Sequence, residues 1–316
     1  MALSLRRLLR HETILAMLVV ATLVVLAAQS ERFFTADNLL NQGRLMAEVG
    51  LVALTMTFVI VTGGIDLSVG SMLGLSAILV GVFWKNVGLA LPVAMVLAVG
   101  AGGLAGLING FIITRFKVPP LIATLATLAL YRGLAEGISQ SRSVRGYPEW
   151  FYALGQRDAA GVPVQVWIML VAVFVAAGIL GLTTFGRATY AVGANETAAR
   201  FAGVAVDRTR LLVYTASGLM SGLAAVIFVS RVSTTRSDMG TGLELDVITA
   251  VVLGGTSIFG GKGTIMGTVL GLALIQALRS GLSLAGVKGD GTIVVIGLVL
   301  IGAILVSNLF GRDGDG

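Results

Sequence analysis

The stretch VGLVALTMTFVIVTGGIDLSVGSMLGLSAILVGVF, residues 49–83, decides the fold class of this chain. Its only charged residue is Asp66, and two adjacent glycines interrupt an otherwise apolar run. A helix needs about 20 apolar residues to cross the hydrocarbon core of a bilayer. The two sides of the interruption therefore predict two membrane helices, Val49–Thr62 and Val69–Trp84, joined by a short polar break.

The whole chain of 316 residues has the same character. Hydrophobic residues make up 56% and charged residues 12%, and the mean hydropathy is +0.95, whereas soluble domains carry roughly 25% charged residues. Backbone groups in lipid must pair within the chain, and the apolar runs are too long for barrel strands, so the sequence predicts an all-α polytopic bundle in one domain, residues 1–316. The ten predicted spans are Ile14–Ala28, Val49–Thr62, Val69–Trp84, Leu89–Thr114, Pro120–Ser139, Val164–Leu182, Leu211–Ser230, Leu245–Ile258, Ile265–Leu284 and Ile293–Leu309.

The orientation prediction rests on few residues. Arg6, Arg7 and Arg10 precede the first span, and positive charge favours the cytoplasmic side. An even number of spans then places both termini in the cytoplasm. Basic residues are nearly equal on the two sides, so only the first helix and the segment from Arg187 to Arg210 support this orientation.

Composition also excludes several function classes. The net charge of +6 comes from scattered basic residues that form no stripe, which argues against nucleic-acid binding. The chain has no cysteine and one histidine, His11, so it offers no nucleophile with a base and no metal-ligand cluster. We therefore predict neither an enzyme nor a metal site.

Two segments of the chain are similar to each other. Residues 63–75 align without gaps with residues 260–272, and six of the thirteen positions are identical. Each segment follows an apolar run and opens another. Six predicted spans separate the copies, so they predict a parallel repeat of the kind found in transporters.

The break between Gly63 and Ser68 has two interpretations. It is a tight turn in which Asp66 or Ser68 caps the next helix, or a discontinuous helix that lines a pathway, because irregular backbone at membrane depth needs protein or water beside it. The two interpretations are compatible, since a capped helix end facing a cavity presents fixed dipoles to a polar solute.

Small residues recur at helical spacing. Gly102, Gly106 and Gly110 lie four residues apart, as do Gly218 with Gly222, and Gly267 with Gly271, which is typical of close helix crossing in membranes. Asn109 lies within the first of these helices, where it donates a hydrogen bond across helices or contacts a solute hydroxyl.

Three charged residues are predicted to lie within reach of the membrane, namely Glu48, Arg132 and Glu136. Arg132 and Glu136 are four residues apart, the spacing of an ion pair along one helix face. Mid-span ionisable residues are otherwise nearly absent, which argues against a proton- or sodium-coupled carrier.

Two longer polar segments are candidates for partner surfaces. Residues 184–206 lie on the predicted inner side, where Asn195 is expected to cap a short helix through Ala199 that Gly203 ends. Residues 140–163 lie on the outer side and either receive a soluble partner or rest at the interface. Gly261-Lys262 resembles part of a phosphate loop, but Thr256 and Gly263 break the pattern, so this chain is not expected to bind ATP.

Together these motifs resemble the permeases of the bacterial importers for ribose, rhamnose and autoinducer-2. The matching stretches are Gly63 to Ser71, Thr124 to Leu128, Tyr131 to Gly133, Phe185 to Arg187, Gly193 to Asn195, Ala198 to Arg200, Val252 to Gly255, and Gly260 to Gly263. They keep the family's order over residues 48–284.

The resemblance implies a permease subunit of an ATP-binding-cassette importer with a ten-helix, vitamin-B12-permease-like (type II) fold. It also implies two ATPase subunits that carry ATP and Mg²⁺, a periplasmic solute-binding protein, a second permease subunit, and a location in the bacterial inner membrane. The residues that it assigns are Gly63, Gly64, Asp66, Ser68, Asn109, Thr124 and Thr127 to the translocation pathway, Gly186, Arg187, Gly193, Asn195, Ala198, Arg200 and Gly203 to ATPase coupling, and Gly254, Gly255, Gly260, Gly261 and Gly263 to a structural glycine motif.

Two alternatives stay open. Branched-chain amino-acid permeases are distant relatives, although the Ile65-Asp66-Leu67-Ser68 form of the motif favours sugars. Within the sugars, Arg236 to Gly240 and Ser283 to Val287 favour rhamnose or autoinducer-2 over ribose. A stand-alone secondary transporter is the second alternative, and it would need no ATPase partner.

Overall fold

A computed structural model describes residues 11–29, 33–287, 289, 291–298 and 301. Helices dominate, and the one small sheet pairs Asp158 with Pro163 in a two-stranded hairpin. The elements in chain order are α1 His11–Gln29, α2 Ala36–Val61, α3 Val69–Gly81, α4 Leu91–Arg115, α5 Pro120–Ser139, α6 Glu149–Gln156, β1 Asp158–Ala159, β2 Val162–Pro163, α7 Val164–Leu182, α8 Thr184–Ala194, α9 Glu196–Phe201, α10 Val206–Val232, α11 Leu243–Leu253 and α12 Ile265–Leu284.

Seven of the described helices are long and apolar enough to cross a membrane. They are α2, α3 with the π-helical turn Val82–Asn86 that continues it, α4, α5, α7, α10 and α12. The chain is therefore an all-α polytopic membrane protein. The predicted bounds of α5, α7 and α12 are confirmed to the residue.

Ten full spans are not confirmed among the described residues. The apolar part of α1, Leu15–Leu26, is short, and the predicted span Leu245–Ile258 is wrong at its end because α11 stops at Leu253. Two glycines follow, and Gly255 has a left-handed φ of +88° that stops the helix. Of the tenth predicted span, Ile293–Leu309, only residues 293–298 and 301 are described, and these are helical.

The middle of the bundle is the crossing of α4 and α10, where the predicted glycine pattern is confirmed. A Cβ placed on Gly102 would lie against the Gly218 carbonyl and 3.2 Å from Gly222 Cα, and a Cβ on Gly218 would lie 2.8 Å from Gly106 N. Only hydrogen atoms fit between the two backbones at these positions. Close approach of this kind lets dispersion contacts hold membrane helices together in the absence of a hydrophobic force.

A non-helical segment enters the bundle beside α3. Residues 233–242 join α10 to α11 without a helix, and a Cβ on Gly74 would meet the Met239 carbonyl oxygen at 2.7 Å. Arg132 of α5 donates from one guanidinium nitrogen to the carbonyls of Ser237 and Met239. The arginine thus satisfies backbone acceptors that would otherwise lack partners at this depth.

The two polar segments lie at opposite ends of α10. The helix has 27 residues, about 40 Å at 1.5 Å per residue. α8 and α9 pack at its first turns through a small cluster of Val192, Ala199 and Val206. α6 packs at its last turn, where the Ser230 hydroxyl donates to the Phe151 carbonyl at 2.6 Å.

Candidate functional site

The break between α2 and α3 is the centre of a buried hydrogen-bond network. The backbone N–H and the hydroxyl of Ser68 both donate to Asp66 Oδ1, at 3.0 and 2.6 Å. The hydroxyl of Ser217 in α10 donates to Asp66 Oδ2 at 3.0 Å. Asp66 therefore ties the start of α3 to α10. The predicted side-chain cap is wrong, because Ser68 lies at the N-cap without a side-chain cap bond and Asp66 binds Ser68 rather than a backbone N–H of the first turn of α3.

Asn109 extends this network to a third and a fourth helix. Its Nδ2 donates to the Ser68 hydroxyl at 2.8 Å, and its Oδ1 lies 3.1 Å from the Tyr131 hydroxyl. Asp66, Ser68 and Asn109 have no exposed surface. In this conformation they bind one another, and the interhelical role of Asn109 is confirmed.

The remaining predicted pathway residues surround the same break. The Thr124 hydroxyl lies 3.1 Å from the Ile65 carbonyl, whereas Thr127, one turn further along α5, bonds only within its own helix, to the Thr124 carbonyl. Gly63 is exposed with a left-handed φ of +77°, and Gly64 packs against the Tyr214 hydroxyl. Three of the seven residues, Asp66, Ser68 and Asn109, thus form the network. Gly63, Gly64 and Thr124 lie at or contact the break, and Thr127 does neither within the described residues.

The network is polar but contains no cation. Within the described part of the chain, no lysine or arginine forms an ion pair with Asp66. Its donors are hydroxyl, amide and backbone groups. Groups of this kind can hydrogen-bond to uncharged hydroxyls, and in this conformation they bind one another.

The glycine motif between α11 and α12 lies against the first break. A Cβ on Gly260 would meet Gly63 N at 2.9 Å, so the two similar segments found in the sequence are in contact. Gly261 N donates to the Val61 carbonyl at 2.9 Å, and a Cβ on Gly254 would lie 2.5 Å from the Gly267 backbone. Gly255, Gly260 and Gly261 all have positive φ, and Gly263 packs against Thr256. The motif is therefore a series of backbone contacts. Contact between the two similar segments does not test the parallel repeat, which stays a prediction.

The predicted coupling segment is the helix pair α8–α9. Asn195 caps α9 through a hydrogen bond from Ala198 N at 2.9 Å, and Gly203 ends the turn with φ +82°, as predicted from sequence. The helix reaches Phe201 rather than stopping at Ala199. A Cβ on Gly193 would meet Gly261 N at 2.6 Å, so α8 rests on the glycine motif, and Gly186 packs on the end of α7 near the Ile179 carbonyl. Arg187, Ala198 and Arg200 are exposed.

Ion pairs join this segment to α10. Arg210 pairs with Glu196 at 2.8 Å, and Arg200 bridges Glu196 and Asp207, each at 3.1 Å. Partial burial by itself raises the pKa of Glu196, but the charges and hydrogen bonds of Arg210 and Arg200 lower it more. The pKa of Glu196 is therefore below its ordinary value. The carboxylate is therefore charged at neutral pH, and the pairs are formed.

Comparison with known proteins identifies this arrangement. A family model described as "Branched-chain amino acid transport system / permease component" matches residues 38–305, which include both breaks and the helix pair α8–α9. The chain belongs to this permease family. It is a transport component and not an enzyme.

Relatives of this permease match over nearly its whole length. It is 41% identical over 286 residues to ribose import permease protein RbsC of Bacillus subtilis (strain 168), covering 90% of this chain and 88% of the relative. It is 38% identical over 309 residues to the RbsC protein of Escherichia coli (strain K12), covering 95% and 94%. It is 37% identical over 308 residues to autoinducer 2 import system permease protein LsrD of Escherichia coli O9:H4 (strain HS), covering 96% and 92%. No solved structure matches the permease.

Sequence reasoning missed several partners in this permease. Ser217 and Tyr131 complete the Asp66 network, and neither belongs to a motif with a stated role. Arg132 does not pair with Glu136 among the described residues, so the predicted helix-face pair is wrong. The reason is that Glu136 is exposed, while the Arg132 guanidinium turns towards the non-helical carbonyls.

Glu48 also has a partner that the sequence did not indicate. Arg231 binds it with two nitrogens, at 2.7 and 3.0 Å, and the guanidinium lies 5.0 Å above the Phe228 ring. The pair links α2 to the end of α10. Because 183 positions separate the two residues, no local signal could have found it.

Proposed function

We propose that this permease forms the translocation pathway of an ATP-driven importer for a monosaccharide or a sugar-like solute. The observation that carries the proposal is its similarity, over nine-tenths of its length or more, to permeases named for ribose and autoinducer-2 import. The network of hydroxyl and amide groups around Asp66 supports it, because such groups would suit a solute rich in hydroxyls once helix movement separates them. Identities of 37–41% do not choose between ribose and autoinducer-2.

In the assembly that we propose, two ATP-binding-cassette subunits bind ATP and Mg²⁺ and contact α8–α9, while a solute-binding protein docks at the α6 end. A second permease subunit completes the pathway. The fold would be the type II importer fold, placed in the bacterial inner membrane with both termini in the cytoplasm. Alternating access would follow when the ATPases close, push α8–α9 and rock the helices about the pathway.

Reconstitution tests this function. Proteoliposomes that contain the permease with its ATPase and binding protein should accumulate one labelled solute among ribose, rhamnose and autoinducer-2 only when ATP is hydrolysed. An ATPase variant without catalytic activity is the control. Uptake of leucine instead would support the branched-chain alternative, and uptake by the permease alone, driven by an ion gradient, would establish a secondary transporter.

The proposed orientation has its own test, because the chain contains no cysteine. Single cysteines at Trp150 and at Arg187, both exposed at opposite ends of the bundle, should react differently with a membrane-impermeant thiol reagent in intact cells. We expect labelling at Trp150 from outside and at Arg187 only after the cells are opened. The reverse pattern would overturn the orientation.

A further inference from the structure

The helix α10 is held firmly at both ends by segments that lie outside the membrane spans. It runs unbroken from Val206 to Val232. At one end it contacts α6, and at the other it contacts α9. Transport of a solute does not by itself require one helix to be attached to both α6 and α9.

In the attachment to α6, the Ser230 hydroxyl binds the Phe151 carbonyl, and one side chain of α6 binds the end of α10. Gln156 Nε2 lies within hydrogen-bond distance of the Ser230 carbonyl (3.2 Å), the Arg231 carbonyl (3.0 Å) and the Ser233 hydroxyl (2.8 Å). The last carbonyls of a helix have no partners within it, so Gln156 serves as a cap supplied from another helix. Any displacement of α6 acts directly on the end of α10.

The backbone beside this cap fits closely as well. A Cβ on Gly155 would lie 2.6 Å from Arg231 Cα and 2.7 Å from the Ser230 carbonyl carbon. A shallow cavity of about 460 Å³ runs along α6, lined by residues that include Glu149, Trp150 and Gln156 itself. Gln156 thus lies between the end of α10 and a surface that is open to another molecule.

The other attachment combines ion pairs with the apolar cluster of Val192, Ala199 and Val206. Arg210 of α10 pairs with Glu196 of α9 at 2.8 Å, and Asp207 accepts from Arg200. Between the two attachments, α10 is locked to α4 by the glycine crossing at Gly218. Packed helices have few intermediate arrangements, so a shift at one end of α10 moves the whole helix rather than bending it.

We propose that Gln156 is a positioning residue through which docking at α6 is relayed along α10 to α9. The inference rests on the proposed function, in which a solute-binding protein docks at the α6 end and ATPase subunits contact α8–α9. In this relay, the binding protein stimulates ATP hydrolysis because α6 displaces α10, and α10 displaces the ion-paired α9.

The decisive variant is Gln156→Leu, which keeps the size of the side chain and removes its donor. In proteoliposomes with the complete importer, we expect stimulation of ATP hydrolysis by the loaded binding protein to fall at least fivefold. Hydrolysis without the binding protein should persist, and the concentration of binding protein that gives half of the remaining stimulation should change less than twofold. The control is Arg142→Leu, an exposed residue of the same outer segment that lies outside the cavity and whose side chain makes no hydrogen bond to α10 within the described residues.

A second variant tests whether misfolding of Gln156→Leu explains a loss of stimulation. Gly155→Ala keeps every polar group but forces α6 away from the backbone of Arg231, and it should reduce stimulation in the same way. Arg210→Gln weakens the other attachment by removing its pair with Glu196. Because both attachments serve one relay, Gln156→Leu with Arg210→Gln should be no worse than the more damaging single variant, whereas independent effects would multiply.

The outcomes separate the relay from the proposed function. Wild-type importer that the binding protein does not stimulate would overturn both. Stimulated wild type with unchanged Gln156→Leu and Gly155→Ala would overturn the relay alone. A loss of binding-protein affinity with full maximal stimulation would also overturn it, because Gln156 would then act only in docking.

Discussion

The crossing of α4 and α10 and the helix pair α8–α9 are built on opposite principles. At the crossing, glycine backbones meet in the buried middle of the bundle. In the helix pair, α8 also rests on glycine contacts, but α9 is held by ion pairs of side chains such as the exposed Arg200, and Phe201 is 90% exposed. Backbone contacts tolerate no change of shape, whereas exposed ion pairs break and form again at little cost.

This difference indicates a division of labour within one chain. The crossing keeps the helices moving as a unit, and the helix pair adapts to a partner surface. Substitutions at the crossing should therefore lower stability, and substitutions in the helix pair should lower coupling while leaving the fold intact. Four substitutions test this contrast, in order of decreasing effect on stability.

The largest effect is expected for Gly218→Leu in the crossing. The added side chain would overlap the Gly102 carbonyl and Gly106 N, and overpacking should destabilise the protein by about 3 kcal/mol. Thermal unfolding in detergent, followed by circular dichroism, measures the loss. Gly178→Leu in α7 is the matched control, because nothing lies within 4 Å of a Cβ there. Equal losses in both variants would contradict the special role of the crossing.

Asp66→Ala should have the next largest effect. It leaves the Ser68 N–H, the Ser68 hydroxyl and the Ser217 hydroxyl without their acceptor, at a cost of about 2 kcal/mol. Asp66→Asn keeps an acceptor for Ser68, and Ser217 can rotate to accept from the amide, so this variant should remain close to wild type in the same unfolding assay. If Asn destabilised as much as Ala, the negative charge itself would be required.

Asn195→Ala should have a smaller effect that is confined to one end. Losing the cap on Ala198 N removes about 1 kcal/mol from α9. Hydrogen exchange should show faster exchange in α9 and unchanged exchange in α10. Asn195→Asp is the control, since a carboxylate caps a helix start equally well. Destabilisation that spread to the crossing would contradict the separation of the two regions.

Arg200→Gln should have the smallest effect on stability. The side chain is exposed, and its pairs with Glu196 and Asp207 are screened by salt. We expect no measurable change in the unfolding temperature, but a loss of ATPase stimulation that 0.5 M salt reproduces in wild type. A clear fall in unfolding temperature would show that the ion pairs hold the fold together.

The pH dependence of the same pairs follows from Glu196. Its pKa is lower in the folded protein than the ordinary value of 4.5, so the pairs contribute fully above that value. They are lost as the pH falls below it and the carboxylate takes up a proton. Coupling should therefore be insensitive to pH between about 6 and 8 as far as Glu196 is concerned.

Local features of the structure could be predicted from sequence, and distant ones could not. The cap at Asn195 and the stop at Gly203 depend on residues within three or four positions. Hydropathy placed most helices, because length and apolarity are properties of one segment. It extended α11 too far, since apolar residues continue beyond the turn at Gly255.

Partners across the bundle left no such signal. The pair of Glu48 with Arg231 requires α2 and α10 to be neighbours, and nothing near either residue says so. The spacing of Arg132 and Glu136 predicted an ion pair between them. The partly buried guanidinium instead donates to the carbonyls of the non-helical segment, because these hydrogen bonds stabilise the protein more than a solvent-exposed ion pair would. The polar network could be located at Asp66, while Ser217 of α10 and the role of Tyr131 of α5 could not.

The two hydrogen bonds from Arg132 have a consequence for biosynthesis. The carbonyls of Ser237 and Met239 belong to a stretch without helical bonding, which cannot enter lipid alone. Its donor lies about a hundred residues earlier in the chain and leaves the ribosome first. The Arg132 donor is thus already present when the segment that needs it is synthesised. Without this side chain, the newly made protein should leave the insertion machinery with residues 233–242 unfolded.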